Sequence, residues 1–242
     1  MSVLVVTGTG TEVGKTVVTA ALAALASDCG KRVAVVKPAQ TGARAGDPGD
    51  LDDVRKLSGV EDLHEHARFP DPLSPAAAAR HSGQSPLCLE RSAARIRELA
   101  AQRDLVLVEG AGGLLVRYDE RGMTIADLAR ILGAPLLVVT SGGLGTLNAT
   151  ALTLEALERR GLTLAGVVVG AWPSDPDLAT RSNVADLETI AAHPLTGRMP
   201  QGAGNLDRAT FLSTARTALG ATPWSLGCRL GSRADQPIDT AL

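Results

Sequence analysis

The sequence predicts an α/β fold: a single-domain, open, mostly parallel β-sheet flanked by helices. Three observations carry that expectation. The β-branched run Val3-Leu4-Val5-Val6 stops at Gly8 and passes through a small-residue loop into an Ala- and Leu-rich helical pattern from Lys15. A second apolar run, Arg32-Val33-Ala34-Val35-Val36-Lys37, closes a strand–helix–strand unit within about 35 residues, and such units place their strands parallel. Further apolar runs at 104–109, 135–140 and 164–170 alternate with helical segments.

The turn after the first strand is the segment with the clearest chemistry. In Thr7-Gly8-Thr9-Gly10-Thr11-Glu12-Val13-Gly14-Lys15-Thr16, glycines let backbone N–H groups converge on an anion, and the following helix adds partial positive charge. Lys15 adds a full charge and Thr16 a hydroxyl for Mg²⁺. Five residues, Thr9 to Val13, separate Gly8 from Gly14, where the common phosphate-loop pattern has about four. The extra residue marks a subclass of that loop.

Along the chain, residues 17–27 read as a helix with Val18, Leu22 and Leu25 on one face, stopped near Gly30. Lys37 lies at the carboxyl end of the second strand, the side on which such sheets bind ligands. Residues 39–49 form a Gly-rich loop, and Asp50-Leu51-Asp52-Asp53-Val54 opens a short helix with acids in its first turn. On its own neighbourhood Asp50 is equally a helix-start residue. Residues 61–86 make a long, proline-interrupted crossing with a small helix at 76–81, followed by a helix at 89–102. The strand 104–109 ends in Glu109, followed at once by Gly110-Ala111-Gly112-Gly113. A carboxylate at the tip of a core strand needs a partner, and Mg²⁺ or a bound water would serve.

A helix is expected at 124–132, a strand at 135–140, and a helix at 146–160 that starts after Ser141-Gly142-Gly143-Leu144-Gly145 with N–H groups turned toward an anion. A strand at 164–170, a helix at 183–192, a strand at 194–199 and a helix at 207–219 complete the domain, which spans 1–222. Residues 223–242 read as a loosely held tail.

Composition narrows the function. With 45% hydrophobic but only 2% aromatic residues, the core of this 242-residue chain must be Ala, Val and Leu. A net charge of −2 argues against general nucleic-acid or membrane-surface binding. Cys29, Cys88 and Cys228 are too scattered to support a disulfide framework or a thiolate metal site. Neither a signal peptide nor a membrane span is expected, and the expected location is the cytoplasm. Only Lys15, Lys31, Lys37 and Lys56 are lysines among 24 basic residues, and two of the four fall at the ligand side. A compact ammonium meets a phosphoryl or carbamate oxygen at short range better than a guanidinium does. Thr16, Asp50 and Glu109 together offer Mg²⁺ a hydroxyl and two carboxylates. His64-Glu65-His66 lacks a third ligand and reads as solvated, His81 and His193 lack a nucleophile, and Trp172 and Trp224 read as packing or surface residues.

Four spaced motifs resemble dethiobiotin synthetases: the Thr7–Thr16 loop, Lys37-Pro38 with Gln40-Thr41-Gly42, Val108 to Gly113, and Leu144-Gly145-Thr146-Leu147-Asn148. The similarity runs from about residue 2 to about 206. It implies a P-loop NTPase fold and an ATP-dependent ligase of biotin synthesis that closes a ureido ring from 7,8-diaminopelargonic acid and CO₂, releasing ADP and phosphate. By the resemblance, Lys37 and Lys15 hold the carbamate and the transferring phosphoryl group, and Thr11 and Thr41 contact the substrate. Glu12, Val13, Gly14, Lys15, Thr16, Val17, Asp50, Glu109, Gly110, Ala111 and Gly112 surround the Mg²⁺-bound triphosphate.

A homodimer is implied as well, with the far carboxylate of the substrate at the Leu144–Asn148 stretch of the other subunit. Two positions depart from the family pattern: Gly10, where Asp is frequent, and Gly170, where Asn often contacts adenine. Gly170, Ala171 and the Arg198-Met199-Pro200 segment are then left to face the base, and tolerance for other nucleoside triphosphates is expected. Two alternatives have different chemistry. A dimerising ATPase switch of the deviant Walker type carries an extra lysine where Gly10 stands, and a glutamine-dependent amidoligase would need a further domain with a Cys/His pair.

Overall fold

The β-branched runs pair into a seven-stranded parallel sheet in the computed structural model, which describes residues 3–219. In chain order the elements are β1 (Val3–Gly8), α1 (Lys15–Asp28), β2 (Val33–Lys37), β3 (Gln40–Thr41), α2 (Asp50–Ser58), β4 (Leu63–Glu65), β5 (Arg68–Phe69), α3 (Pro75–Ser82) and α4 (Leu89–Ala100). They continue with β6 (Leu105–Glu109), α5 (Ile125–Leu132), β7 (Leu136–Thr140), α6 (Thr146–Glu158), β8 (Leu164–Trp172), α7 (Leu178–Ala191), β9 (Gly197–Pro200) and α8 (Arg208–Leu219). The strand order is β4-β2-β6-β1-β7-β8-β9. The chain leaves β1 toward β2 on one side and later fills β7, β8 and β9 on the other, so the sheet changes direction beside β1 and β6. A crevice opens at that point beyond the carboxyl ends of the strands.

Both faces of the sheet are covered, which is why its strands are apolar at successive positions. Leu4, Val6, Val35 and Leu107 pack with Val18, Leu22, Val54 and Phe211 of α1, α2 and α8. Val5, Val36, Val106 and Val108 pack on the opposite face with Ile96, Ile125 and Leu128 of α4 and α5. The period-two alternation along each strand divides the core into these two layers.

Several elements differ from the sequence reading. The crossing at 61–86 contains β4, which adds to the sheet edge by pairing with β2 (Val36 opposite His64, Lys37 opposite Glu65). It also contains β5, which pairs with β3 as a separate two-stranded sheet. Helix α7 starts five residues before Asn183, at Leu178, because the Asp177 carboxylate accepts the Thr180 N–H at 2.7 Å and caps it. Strand β8 continues to Trp172, and β9 runs through Pro200, which an edge strand tolerates. The expected tail at 223–242 lies outside the described residues.

The histidines of the crossing are structural. His64 pairs with Asp62 at 2.8 Å, and His66 Nδ1 lies 2.7 Å from Ser92 Oγ. Burial, with Arg95 and His64 nearby, pushes the His66 imidazole down from 6.5 to about 4. The unfolded chain therefore binds a proton at this residue below pH 6.5 that the fold refuses until about pH 4. Stability is fully present above the upper value and falls as the pH drops through that window. His66 is partly exposed, so the loss is roughly 1–2 kcal/mol after solvent screening. Urea unfolding at about pH 7 and about pH 4.5 should show this loss, and His66→Gln should flatten it; an unchanged pH slope in that variant would assign the loss elsewhere.

Candidate active site

The phosphate loop is shaped by close backbone packing. A Cβ at Gly8 would stand 2.7 Å from Val13 Cγ2 and 3.2 Å from the Val139 carbonyl oxygen. Gly14 has φ of 94°, and a Cβ there would come within 2.5 Å of the Gly170 carbonyl oxygen. Glu12, at φ of 59°, also adopts the left-handed region, which is strained for a residue with a side chain. At Gly10 a Cβ would meet nothing within 4 Å, so the absence of a side chain there is not a steric requirement.

Two lysines enter the cavity from different elements. Lys15, in the first turn of α1, is buried and donates to the Gly10 carbonyl at 2.7 Å. Burial lowers it from 10.5 to about 8, and the charge of Lys37 adds to the effect. Lys37, 3% exposed at the tip of β2, donates to Glu109 Oε1 at 2.8 Å and to the Gly110 carbonyl at 3.3 Å, and forms an ion pair with Asp50. Burial opposes its charge, but the carboxylates of Glu109 and Asp50 outweigh burial and hold its pKa above the ordinary 10.5. For Asp50, burial acts upward and the Lys37 charge more than offsets it, so its carboxyl titrates below the usual range.

Glu109 is 0% exposed at the tip of β6. Its Oε1 accepts from both Lys37 and the Thr16 hydroxyl, the latter at 2.9 Å, while Oε2 has no hydrogen-bond partner among the described residues. This geometry follows from strand order. Strand β6 lies between β2 and β1, with Val36 opposite Val108 and Val6 opposite Glu109, so its tip meets Lys37 on one side and the phosphate loop on the other.

A cavity of 340 Å³ opens over this cluster. Thr11, Glu12, Gly14, Lys15, Thr16, Val17, Lys37, Thr41, Asp50, Glu109, Ala111 and Gly112 all line it, as the sequence reading expects. Val13 lies behind the loop with its backbone against Gly170. Ala39 and Gln40 line the cavity too; Gln40 belongs to the Gln40-Thr41-Gly42 motif, and the sequence signal of Ala39 is its place between Lys37 and Thr41.

The residues expected near the base do not line this cavity. Gly170 is pressed on the phosphate loop, where a Cβ would be 2.0 Å from the Val13 carbonyl oxygen. Ala171 is exposed, and Arg198 stacks over the Trp172 ring at 4.7 Å and lines a separate hollow of 760 Å³ with Pro200. Met199 is buried in the core. That hollow is larger, but among the described residues its lining holds no lysine and no strand-tip carboxylate, whereas the smaller cavity has both.

Leu144, Gly145, Thr146, Leu147 and Asn148 begin α6 away from the cavity. Leu144 is 87% exposed, Gly145 has φ of 87°, and Asn183 holds the preceding turn by donating to the carbonyls of Gly142 (2.9 Å) and Gly143 (3.0 Å). The Thr146 hydroxyl is turned inward, donating to the Ser141 carbonyl at 2.6 Å.

Comparison with known proteins is consistent with this arrangement. A family model described as an AAA domain matches residues 2–205. The ATP-dependent dethiobiotin synthetase BioD of Parafrankia sp. is 66% identical over 219 residues, 90% of this chain and 92% of the relative. That of Streptomyces coelicolor is 56% identical over 215 residues, 89% of this chain and 90% of the relative. Among solved structures, the septum site-determining protein MinD of Pyrococcus horikoshii is similar with a TM-score of 0.57 at 18% identity, over 88% of this chain and 86% of that one. A ParA family ATPase from Chlorobium tepidum gives 0.55 at 17% identity, over 94% and 99%. The structural likeness establishes the P-loop fold, which switch ATPases share, and the sequence likeness over nine-tenths of the chain separates the two. The chain belongs to the ATP-dependent dethiobiotin synthetase family.

Proposed function

We propose that the protein is an ATP-dependent dethiobiotin synthetase, a ligase of biotin biosynthesis that closes the ureido ring from 7,8-diaminopelargonic acid and CO₂. The observation that carries this reading is the pair of buried lysines, Lys15 in the phosphate loop and Lys37 on the tip of β2, lining one cavity. One substrate amine takes up CO₂ as a carbamate and releases a proton. A carbamate oxygen attacks the γ-phosphorus, its bond to ADP breaks, and the mixed anhydride forms. The second amine then attacks the carbamoyl carbon, phosphate leaves with the C–O electron pair, and the ring closes with loss of a proton.

In this scheme Lys37 neutralises the carbamate and transferring phosphoryl group, and Lys15 neutralises the phosphates cradled by the loop N–H groups of residues 12–17. Thr11 and Thr41 orient the diamine, and the backbone of Gly110, Ala111 and Gly112 closes the floor. The buried, partnerless Oε2 of Glu109, beside the Thr16 hydroxyl and Asp50, fits Mg²⁺. Among the described residues no three His, Cys, Asp or Glu side chains group to hold a metal alone, which suits an ion that arrives on the nucleotide and keeps phosphate and water ligands. When bound, Mg²⁺ would neutralise phosphate charge. The base would be read weakly, by the backbone near Gly170 and Ala171 and the Arg198–Pro200 segment. A homodimer would present the start of α6, Leu144 to Asn148, to the far carboxylate of the partner's substrate. No helix among the described residues is long and apolar enough to cross a membrane, and the cytoplasm is the proposed location.

ADP release should require both diaminopelargonate and bicarbonate; release at the same rate without them would favour an ATPase switch. Lys37→Ala should lower ring closure by on the order of 10²- to 10³-fold while calorimetry still detects nucleotide binding, since the ammonium acts on the transferring group. With no side chain possible at Gly170, turnover with CTP and GTP should lie within about tenfold of that with ATP. Strict ATP dependence would place a base-reading group elsewhere in the chain.

A further inference from the structure

Asp50 reaches Lys37 from the end of a loop, 43–49, that has few anchors of its own. Gly49 precedes the first turn of α2 and has no side chain to accept a helix N–H. A Cβ at Gly49 would approach Gln40 Oε1 to 3.0 Å and Arg68 Nη2 to 2.9 Å, so a Ser, Thr or Asp cap would displace both side chains. The Asp52 carboxylate takes the Gly49 N–H at 2.8 Å, which leaves the N–H of Asp50 to be satisfied.

Gln40 satisfies it from across the site. Its Oε1 accepts the Asp50 N–H at 2.9 Å, and its Nε2 donates to the Thr41 carbonyl at 3.0 Å. Acceptor toward α2 and donor toward β3 is a combination an amide supplies and a carboxylate does not. Gln40 is buried, and directly opposite it in the small sheet is Arg68. Arg68 grips Glu65 at 2.7 and 2.8 Å and donates to the carbonyls of Arg44 at 3.1 Å and Asp47 at 2.7 Å. The two-stranded sheet thus holds the loop at its middle through Arg68 and at its end through Gln40.

We propose that Gln40 is a positioning residue for the ligase reaction: by taking the N–H of Asp50 it fixes the start of α2 and the carboxylate that faces Lys37. This rests on the functional reading above, in which Asp50 serves the Mg²⁺-bound nucleotide. The test is a double-mutant cycle on the full chain with Gln40→Met, which has similar length but no amide, and Asp50→Asn. Calorimetry follows ADP binding with and without Mg²⁺, kinetics gives kcat and KM, and melting temperature reports stability.

Gln40→Met should weaken Mg²⁺-dependent ADP binding and lower kcat by about tenfold each, with metal-free ADP binding within about twofold. In the Asp50→Asn background the same substitution should change neither. A fall in melting temperature alone, or effects of the two substitutions that multiply, would overturn the proposal. If Asp50→Asn impairs Mg²⁺-dependent binding and Gln40→Met does not, the positioning role fails and the functional reading stands. If Asp50→Asn changes neither binding nor turnover, the role of Asp50 fails and Gln40's falls with it.

Discussion

The carboxylate of Glu109 is the interaction on which the site is built. It is fully buried at the end of a core strand, and an unpaired ion there would be several kcal/mol unfavourable. The fold meets this by strand order, with β6 between β2 and β1, so that one oxygen receives the Lys37 ammonium from one neighbour and the Thr16 hydroxyl from the loop after the other. Removing Lys37 would leave the buried Glu109 carboxylate with only the Thr16 hydroxyl, a change of about 3–5 kcal/mol in typical cases, whereas removing Glu109 leaves Lys37 its ion pair with Asp50. The second oxygen has no hydrogen-bond partner among the described residues.

A second constraint is the contact between Gly14 and Gly170. A Cβ at Gly14 would collide with the Gly170 carbonyl, and one at Gly170 with the Val13 carbonyl oxygen, so the phosphate loop rests directly on the end of β8. The contact fixes the loop's height above the sheet without a side-chain interaction.

Much of this was legible in the sequence because it is local. The long β-branched runs are buried on both faces and need no partner information to be read as strands, and the Gly8–Thr16 and Glu109–Gly113 segments bring their chemistry in adjacent residues. What was not legible depends on distant pairing. Strand β4 is three half-buried residues, Leu63-His64-Glu65, whose only reason to extend is the free edge of β2. Strands β3 and β5 are two residues each and exist because Gln40 meets Arg68. The Asp177 cap carried a local signal, an acid three residues before Thr180, and the helical periodicity that begins later obscured it. Met199, next to the exposed Arg198, faces the core because strand alternation reverses the side at each residue.

The two lysines end with opposite tendencies from one arrangement of charge. Lys37 is the more deeply buried, yet two carboxylates at contact distance outweigh burial and hold its pKa above the ordinary value. Lys15 is also buried but touches only a carbonyl, and Lys37 lies near enough to repel it, so its pKa falls to about 8. Lys37 is met by two carboxylates of the fold, whereas Lys15 faces the cavity with a carbonyl as its hydrogen-bond acceptor. That difference is set by which lysine stands beside a strand-tip acid, a matter of sheet topology rather than of lysine chemistry.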